Sequence, residues 1–545
     1  MLKFKVTFLP DNITVSVEKD ATILRAALSA QIYINAACGG DGICGKCKVI
    51  VKGQVSSQPN GMITPEERKN NVYLACLTHV QGDLEVKISD SSRLNFDKLT
   101  PEELEERLSG LAIETAEATG KNFGVCFDIG TTTVSGQLID LDSKKILGTK
   151  ATYNQQAAFG SDVITRIVYA AKPSGLQQLH DSISGTINQI ISDLATEHKV
   201  ALNNINSIVC AGNTTMIHLL LNTDPAHIRR MPYVSKANFP LILPAVKADI
   251  NIKPKGLLSC VPGVSGYVGG DATAGILSSG LYQNEKLCIL IDIGTNGEIV
   301  LGNKEFLVAC AASAGPAFEG SGVTSGMRAS NGAIQNIRID KKDFRVKYSV
   351  IQNKKPRGIC GSGYIDLLSE MLDAGIIDKN GRIKAEGKRI RKTDTGKEFI
   401  VCFKEETAAG ADIVINEADI ENLKRSKGAI YSATSILVKH LGLEFSEVDK
   451  FYIAGGFGTY LDIEKAIRIG LLPDLDRTKF IFIGNSSLAG ASQILLSKEA
   501  TEMAGVLVSK ITYFELSVES GYMEEYSQAL FFPHTDLTKF PTVKF

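Results

Sequence analysis

Three cysteines and four glycines share the ten-residue stretch CGGDGICGKC, residues 38–47. Cys38, Cys44 and Cys47 have the spacing C-x5-C-x2-C, and Cys76 follows them downstream. Four thiolates are the usual ligand set of an iron–sulfur cluster, and glycines let a backbone wrap closely around inorganic sulfide. A zinc site also takes four ligands, but its usual pairing is C-x2-C twice. The pattern therefore predicts a 2Fe–2S cluster held by these four cysteines.

The elements around this loop have the pattern of a small β-rich domain. KFKVTFL and ITVSVEK alternate apolar and polar residues on either side of the turn PDN, and ATILRAALSAQ has helical spacing. KCKVIVKG and VYLACLTHVQGDLEVKI indicate further strands, with YLACLT as the strand that carries the last ligand. This α+β order resembles the β-grasp fold of plant-type ferredoxins, although the five-residue first gap resembles adrenodoxin-type ferredoxins. The domain is predicted over residues 1–89, followed by a polar linker over 90–122.

Two further stretches place an aspartate at the end of an apolar strand and directly before a glycine–threonine turn. FGVCFDIGTTTVSGQLID contains Asp128, and LCILIDIGTNGEIVLG contains Asp292 at the matching position. The amides and hydroxyls of such turns bind phosphate oxygens, and a strand-end aspartate holds Mg²⁺ directly or through water. Either hairpin alone fits an ordinary turn as well. The repeated pair predicts a magnesium–nucleotide site.

A second repeat accompanies the first. NNINSIVCAGNTTMIHLL and SEVDKFYIAGGFGTYLDI each combine a strand, a glycine turn and a helix start, with Gly212 and Gly455 as counterparts. Internal repetition of this kind predicts two related halves. Because the paired motifs lie farther apart in the second half, an insertion is predicted around residues 330–425.

The site residues follow from these motifs. The residues predicted to surround phosphate and magnesium belong to the two turns: Asp128, Gly130, Thr131, Thr132, Thr133, Asp292, Gly294, Thr295, Asn296 and Gly297. Glycines permit close approach of a backbone to a nucleoside, so Gly455, Gly456 and Phe457 are predicted to face it. Glu298 follows the second turn and is the candidate for orienting the hydrolytic water. Asp128 and Asp292 complete the predicted catalytic set.

The order of these motifs resembles the acetate and sugar kinase/Hsp70/actin (ASKHA) superfamily. VGGDATAGILSSGL and IGNSSLAGASQILL are similar to its two connecting helices, whose small residues let them cross at a hinge. The resemblance implies an α/β fold with two duplicated RNase H-like halves, over residues 123–265 and 266–545. The first half is also a candidate region for dimerisation.

A ferredoxin-like domain fused to an ASKHA ATPase resembles one family more closely, the ATP-dependent reductive activators of corrinoid proteins. ASAGPAFEG, GICGSGYIDLL and the tail SGYMEEYSQALFFPHTD are similar to stretches of that family, so the likeness extends along nearly the whole chain. It implies transfer of one electron from the 2Fe–2S cluster to a corrinoid protein of a methyltransferase system, returning Co(II) to Co(I). It also implies ATP and Mg²⁺ as cofactors, an external low-potential electron donor and a homodimer.

The stretch GICGSG carries a more specific hypothesis. Three glycines surround Ser362, which predicts a bare loop whose hydroxyl faces the partner's cofactor and binds Co(II) weakly. The ordinary interpretation of the same residues is a tight turn before the helix YIDLLSEMLDAG.

Composition restricts the other functional classes. The chain has 545 residues, of which 44% are hydrophobic and 22% charged, with a net charge of −1. These values are typical of a multidomain globular protein and argue against a strongly basic nucleic-acid binder. No apolar run is long enough to span a membrane and the first residues alternate like a strand, so a cytoplasmic location is expected.

Three alternatives stay open at this point, one of which is a plain kinase, although a kinase would not need the cluster. An ATP-driven electron activator of an acyl-CoA dehydratase or reductase is built on the same superfamily, but it places one cluster between two subunits with few cysteines. A redox-sensing Hsp70-like binding protein is the second, although no peptide-binding domain is visible after the second connecting helix.

Overall fold

The computed structural model describes most of the chain. The described residues are 2–30, 32–36, 38–58, 60–89, 92–93, 121–231, 233–236, 241–393, 396–455 and 461–544. The predicted linker lies almost entirely outside them.

The N-terminal domain is a five-stranded mixed sheet with a short helix against it. Its elements are β1 (Lys3–Leu9), β2 (Ile13–Glu18), α1 (Ile23–Ser29), β3 (Lys48–Ser57), α2 (Pro65–Lys69), β4 (Val72–Leu74) and β5 (Thr78–Ile88). The strand order is β2-β1-β5-β3-β4, with β1 parallel to β5 and the other neighbours antiparallel. Thr22 caps α1 by accepting a hydrogen bond from the backbone N–H of Arg25 at 3.1 Å.

The middle part of the chain folds around a six-stranded sheet. Its elements are β6 (Phe123–Ile129), β7 (Thr133–Asp140), β8 (Lys145–Tyr153), α3 (Val163–Ala170), α4 (Gly175–Glu197), β9 (Ile205–Gly212), α5 (Thr214–Leu220), β10 (Leu241–Pro244), β11 (Leu257–Cys260) and the following helix α6 (Gly270–Ser279). The strand order is β10-β11-β9-β6-β7-β8. Strands β6, β7 and β8 form an antiparallel meander, and β9 and β11 run parallel to β6.

The last part of the chain contains a second six-stranded sheet and an inserted region. The elements up to the end of the inserted region are β12 (Cys288–Ile293), β13 (Gly297–Gly302), β14 (Leu307–Ala312), β15 (Ala333–Ile339), β16 (Val346–Val350), β17 (Gly358–Ile359), α7 (Gly361–Asp373), β18 (Ile390–Thr393), β19 (Gly396–Cys402) and β20 (Ile413–Asn416). The remaining elements are α8 (Glu417–His440), β21 (Lys450–Ala454), α9 (Ile463–Arg468), β22 (Phe480–Gly484), α10 (Ser486–Leu496), α11 (Lys498–Lys510), β23 (Ile511–Tyr513) and α12 (Tyr522–Ala529). Strands β15 to β20 form two separate three-stranded sheets, in the region where the sequence predicts an insertion.

The two large sheets have the same internal plan. In the second, the order β14-β13-β12-β21-β22 repeats β8-β7-β6-β9-β11, and β21 runs parallel to β12 as β9 does to β6. The central strands β6 and β12 read as nearly continuous apolar runs because both of their faces are buried. The duplicated α/β fold predicted from the repeats is therefore present.

Helices α6 and α10 cross each other between the two sheets. A Cβ atom added to Gly490 on α10 would lie 2.1 Å from the carbonyl oxygen of Ala274 on α6. The small residues of the two predicted connecting helices therefore allow backbone to contact backbone. In the described part of the chain, no helix combines the length and the apolar character needed to cross a membrane.

Candidate functional site

The four predicted cluster ligands converge at one end of the N-terminal sheet. Cys38, Cys44 and Cys47 lie in the loop between α1 and β3, and Cys76 lies in the turn between β4 and β5. The expectation that Cys76 stands on a strand is wrong: β4 ends at Leu74, and the backbone N–H of Ala75 donates to the carbonyl of Cys47 at 2.9 Å. This contact brings the Sγ atoms of Cys47 and Cys76 to 3.3 Å.

The glycines of the loop supply its curvature. Gly39, Gly40, Gly42 and Gly45 have φ values of +67°, +93°, +74° and +65°, in the left-handed region that side chains with a Cβ adopt at a cost. A Cβ on Gly40 would lie 3.9 Å from the Cβ of Cys76. The backbone angles of these glycines therefore let the loop turn toward the fourth cysteine.

The four thiols lie close enough to shift one another's pKa values. The hydrogen bond to Cys47 and burial raise the pKa of the Cys76 thiol well above its ordinary value, and charge on Cys38 and Cys44 raises it further. The same hydrogen bond lowers the pKa of Cys47. Thiolates gathered this closely repel one another unless metal ions lie between them, so the donor set fits an iron–sulfur cluster.

The cysteine loop lies against the middle part of the chain. Nζ of Lys172 donates to the carbonyl of Gly39 at 2.9 Å and pairs with Asp41 at 2.7 Å. A Cβ on Gly39 would lie 2.9 Å from the carbonyl oxygen of Phe159. We call this set of residues (Gly39, Asp41, Phe159 and Lys172) the loop contact.

A second site is a cavity of about 200 Å³ between the two large sheets. It brings together the two glycine–threonine turns, the glycine turn after β21 and the N-terminus of α7. The predicted residues that line it are Asp128, Gly130, Thr131, Thr132, Thr133, Asp292, Gly294, Thr295, Asn296, Glu298, Gly455 and Ser362. Gly297 starts strand β13 beside the cavity and is not among the lining residues. Gly456 and Phe457 lie outside the described residues.

Each turn closes through a short backbone hydrogen bond. The N–H of Gly130 donates to the carbonyl of Thr133 at 2.9 Å, and the N–H of Gly294 donates to the carbonyl of Asn296 at 3.0 Å. Gly455 has a φ of +100°, and a Cβ there would lie 2.9 Å from Oδ1 of Asp292. The glycine turn and the second aspartate are therefore in close contact.

Asp128 is held by the second connecting helix. Nδ2 of Asn485 and Oγ of Ser487 donate to its two carboxylate oxygens at 2.9 and 2.8 Å. Burial raises the pKa of Asp128, while these two hydrogen bonds lower it. The first turn is thus connected to the N-terminus of α10, a helix of the opposite repeat.

The cavity is strongly acidic. Burial, with repulsion from Asp128, Asp271 and Glu319, raises the pKa of Asp292 to about 8. Burial raises the pKa of Asp271 to about 7 and that of Glu298 well above its usual range. Buried carboxylates with no compensating cation take up protons, so this group offers a strong electrostatic advantage to a bound divalent metal ion.

Several lining residues were not predicted from the sequence. They are Asp271 at the start of α6, Asn485 and Ser487 at the start of α10, and Glu319 and Arg328 in the segment that precedes β15. Oε2 of Glu319 accepts hydrogen bonds from Thr132 at 2.9 Å and from Thr295 at 2.7 Å. Asp271, Asn485 and Ser487 could have been predicted, because they are polar residues at the N-termini of the two small-residue helices. Glu319 lies in the family-like stretch ASAGPAFEG, from which no role was assigned to it, and Arg328 carried no motif of its own.

The bare loop expected around Ser362 is wrong. Gly358 lies on β17, and α7 begins at Gly361. A Cβ on Gly363 would lie 2.3 Å from the carbonyl oxygen of Ile334, so this glycine allows a helix to pack on a strand. Ser362 itself is buried, and its hydroxyl donates to the carbonyl of Gln335 at 3.3 Å. Its partner-facing role stays a prediction.

Family models match three consecutive parts of the chain. A 2Fe–2S iron–sulfur cluster binding domain matches residues 6–81, the RACo middle region matches 123–284, and the C-terminal ASKHA domain of RACo matches 286–544.

Full-length relatives agree with these matches. The corrinoid activation enzyme RamQ of Eubacterium limosum is 30% identical over 587 residues, covering 94% of this chain and 96% of that protein. A solved structure of a reductive activator for a corrinoid, iron–sulfur protein is 40% identical, with a TM-score of 0.74, and the match covers 99% of this chain and 100% of the other.

This chain belongs to the family of reductive activators of corrinoid proteins. A further relative is the Co(II) methylated amine-specific corrinoid protein reductase of Methanosarcina barkeri, which is 27% identical over 72% of this chain and 73% of that protein. The family predicted from the motifs is confirmed. So is the predicted pairing of a 2Fe–2S domain with an ASKHA domain.

Proposed function

We propose that this activator couples ATP to the transfer of one electron from a 2Fe–2S cluster to a corrinoid protein, returning Co(II) to Co(I). The observation that carries the proposal is the meeting of two glycine–threonine turns in a carboxylate-rich cavity, in a chain that also has a four-thiol loop. The names of the relatives, an activation enzyme and a Co(II) corrinoid protein reductase, support the substrate.

The coupling has a thermodynamic reason. A plant-type 2Fe–2S cluster has a potential of about −400 mV, whereas Co(I) is a very strong reductant. For about every 59 mV by which the donor potential lies above the acceptor potential, the equilibrium constant of a one-electron transfer is tenfold smaller. A nucleotide site that joins two halves of the protein supplies a conformational change through which ATP can shift this equilibrium.

We assign the cavity residues as follows. The turns of Gly130–Thr133 and Gly294–Gly297 bind the phosphates, and Gly455, Gly456 and Phe457 face the nucleoside. Asp128 and Asp292 hold Mg²⁺ directly or through water, and Asp271 is added to them because its carboxylate belongs to the same repelling group. Burial raises the pKa values of all three carboxyl groups, and repulsion raises those of Asp271 and Asp292 further. A bound Mg²⁺ stabilises the charged carboxylates against both effects. Glu298 orients the hydrolytic water.

The cysteine loop is the electron-carrying site. Cys38, Cys44, Cys47 and Cys76 hold the cluster, which supplies a single electron when bound. The backbone of Gly39, Gly40, Gly42 and Gly45 lets the loop close around it. An external low-potential electron donor would reduce the cluster. We further propose a cytoplasmic homodimer that serves a corrinoid protein of a methyltransferase system.

We propose the same domain boundaries as those predicted from the sequence. Residues 1–89 carry the cluster, 90–122 connect it, and the ASKHA halves occupy 123–265 and 266–545, with an insertion around 330–425. Dimerisation is assigned to the first half.

Reduction of candidate corrinoid proteins tests the function. Corrinoid proteins in the Co(II) state are mixed with the activator and a reductant near the cluster potential, and Co(I) formation is followed by absorbance. Conversion is expected with ATP and not without it. Cys44→Ser removes one cluster ligand, so it is expected to abolish conversion while nucleotide binding persists; Cys288→Ser, a buried cysteine far from the loop in sequence, is the matched control. Conversion that is equally fast without ATP contradicts the proposal.

A further inference from the structure

Acidic side chains outnumber basic ones among the described residues that line the nucleotide cavity. The acidic residues that line it are Asp128, Asp271, Asp292, Glu298 and Glu319. Among the described lining residues, Arg328 is the only basic one. A polyphosphate brings further negative charge into this cavity. A metal ion held by the aspartates neutralises part of that charge, and Arg328 is the described lining residue whose side chain can neutralise more of it.

Arg328 lies beside the first phosphate turn although it belongs to the second half. Its guanidinium carbon is 3.9 Å from the ring centroid of Tyr153, the last residue of β8. Tyr153 pairs with Thr133 across the sheet, and the backbone N–H of the next residue, Asn154, donates to the carbonyl of Thr132 at 2.9 Å. The guanidinium thus reaches across the cleft to the residues that form the turn.

The backbone around Arg328 is held in place. The N–H of Met327 donates to the carbonyl of Ile359 at 3.0 Å. Gly320 packs so closely on this segment that a Cβ would lie 2.3 Å from the carbonyl oxygen of Met327. The cation is therefore presented from a fixed segment.

The other arginine near the turn has a different position. Arg166 is fully buried, and its guanidinium donates to the carbonyls of Thr131 and Gly160 and to Oε1 of Gln156. It supports the turn from behind and does not line the cavity. Arg328 is the arginine that a bound phosphate can reach.

We propose that Arg328 is a catalytic residue whose guanidinium binds the terminal phosphate of ATP. The inference rests on the proposed ATP site and assigns a new residue to it. In hydrolysis a water oxygen bonds to the terminal phosphorus while the bond from that phosphorus to the bridging oxygen breaks, giving ADP, inorganic phosphate and a proton. A guanidinium at this position stabilises the charge that spreads over the transferred group, an effect worth about 10³-fold or more in kcat.

The test compares Arg328→Gln with Arg338→Gln in the full-length protein. Arg338 is a matched control because its side chain is 73% exposed and pairs at the surface with Glu370. Affinities for a non-hydrolysable ATP analogue and for ADP are measured by calorimetry, together with kcat for ATP hydrolysis. Arg328→Gln is expected to weaken binding of the analogue about tenfold or more, to change ADP binding little, and to lower kcat about 10³-fold. The control should match the wild type.

Equal affinities in Arg328→Gln and wild type, or an equal loss for ADP and the analogue, would overturn the assignment. If Arg328→Gln does not fold, Arg328→Lys decides: it keeps the charge but loses the two-pronged geometry, so kcat should still fall at least tenfold while analogue binding is partly kept. An unchanged kcat in Arg328→Lys contradicts the inference. A wild-type protein that binds neither nucleotide overturns the proposed function instead, so the two failures are distinguishable.

Discussion

The hydroxyl oxygens of Thr132 and Thr295 lie 3.0 Å apart, although the two residues belong to different halves of the protein. Both hydroxyls also donate to the same oxygen of Glu319. A phosphate that binds between the two turns has to break these contacts and take the place of Glu319 as the acceptor. Occupancy of the cavity and the separation of the two halves are therefore linked, which is the property that an ATP-driven conformational change needs.

The crossing of α6 and α10 is the second place where the halves meet. Gly490→Ala puts a methyl group 2.1 Å from the carbonyl oxygen of Ala274, so the helices have to separate. We expect a loss of about 1–3 kcal/mol in the free energy of unfolding and weaker ATP binding. Gly505→Ala is the control, since a Cβ there meets nothing within 4 Å, and a helical Gly→Ala change then stabilises by up to about 1 kcal/mol. Chemical denaturation measures both variants, and equal stabilities would contradict the role of this crossing.

The acidic cavity predicts how stability depends on pH. The pKa of Asp292 is raised to about 8 and that of Asp271 to about 7, whereas both are near 4 in an unfolded chain. Between these values the folded protein holds protons that the unfolded chain has released. The free energy of unfolding of the metal-free protein therefore falls as the pH rises from about 4 to 8. Mg²⁺ with ATP should reduce this loss, because the cation replaces the protons.

Asp292→Asn isolates one part of that pH dependence. In the wild type, this carboxyl group lowers the free energy of unfolding by up to about 1.4 kcal/mol per pH unit between pH 5 and 8. The variant should lack this contribution, and it should bind Mg²⁺–ATP more weakly. Asp343→Asn is a suitable control, since Asp343 lies at the surface beside Arg345 and its pKa is lowered. Denaturation series at several pH values measure the slopes. An unchanged slope in Asp292→Asn would show that this carboxylate is not part of the repelling group.

The loop contact predicts a local change in mobility. Lys172→Met removes the hydrogen bond to Gly39 and the ion pair with Asp41. Because both charged side chains are partly exposed, the pair contributes about 0.2–1 kcal/mol, so amide exchange in residues 38–47 and 163–172 should become up to about fivefold faster. The cluster absorbance should not change. Lys286→Met, which removes a surface pair with Asp449, should leave exchange in both segments as it is. Unchanged exchange in Lys172→Met would mean that the cysteine loop does not rest on this surface in solution.

Local motifs made much of this protein predictable. The cysteine spacing, the repeated strand–aspartate–turn pattern and the small-residue helices each depend on residues close together in sequence, and the structure contains the two strand–turn repeats and the two helices. The strand predicted to carry Cys76 is the exception, since it ends at Leu74. Glu319 and Arg328 reach the cavity from a segment that only the tertiary fold brings there. The stretch ASAGPAFEG, which contains Glu319, was linked to the family without a role for that residue, and no local pattern marked Arg328. Ser362 was placed wrongly because glycines permit close packing as readily as exposure, as the contact of Gly363 with Ile334 shows.

The most direct test of ATP coupling is Co(I) formation by Asp292→Ala under two reductants. The variant keeps all four cluster cysteines, so its iron–sulfur absorbance should equal that of the wild type. Under a reductant near the cluster potential, conversion of a Co(II) corrinoid partner should fall steeply because the cavity no longer holds Mg²⁺–ATP correctly. A much stronger chemical reductant should restore part of the conversion, since the electron transfer is then no longer uphill. Full-rate conversion by Asp292→Ala under the mild reductant would contradict the claim that this half of the protein couples ATP to the electron transfer.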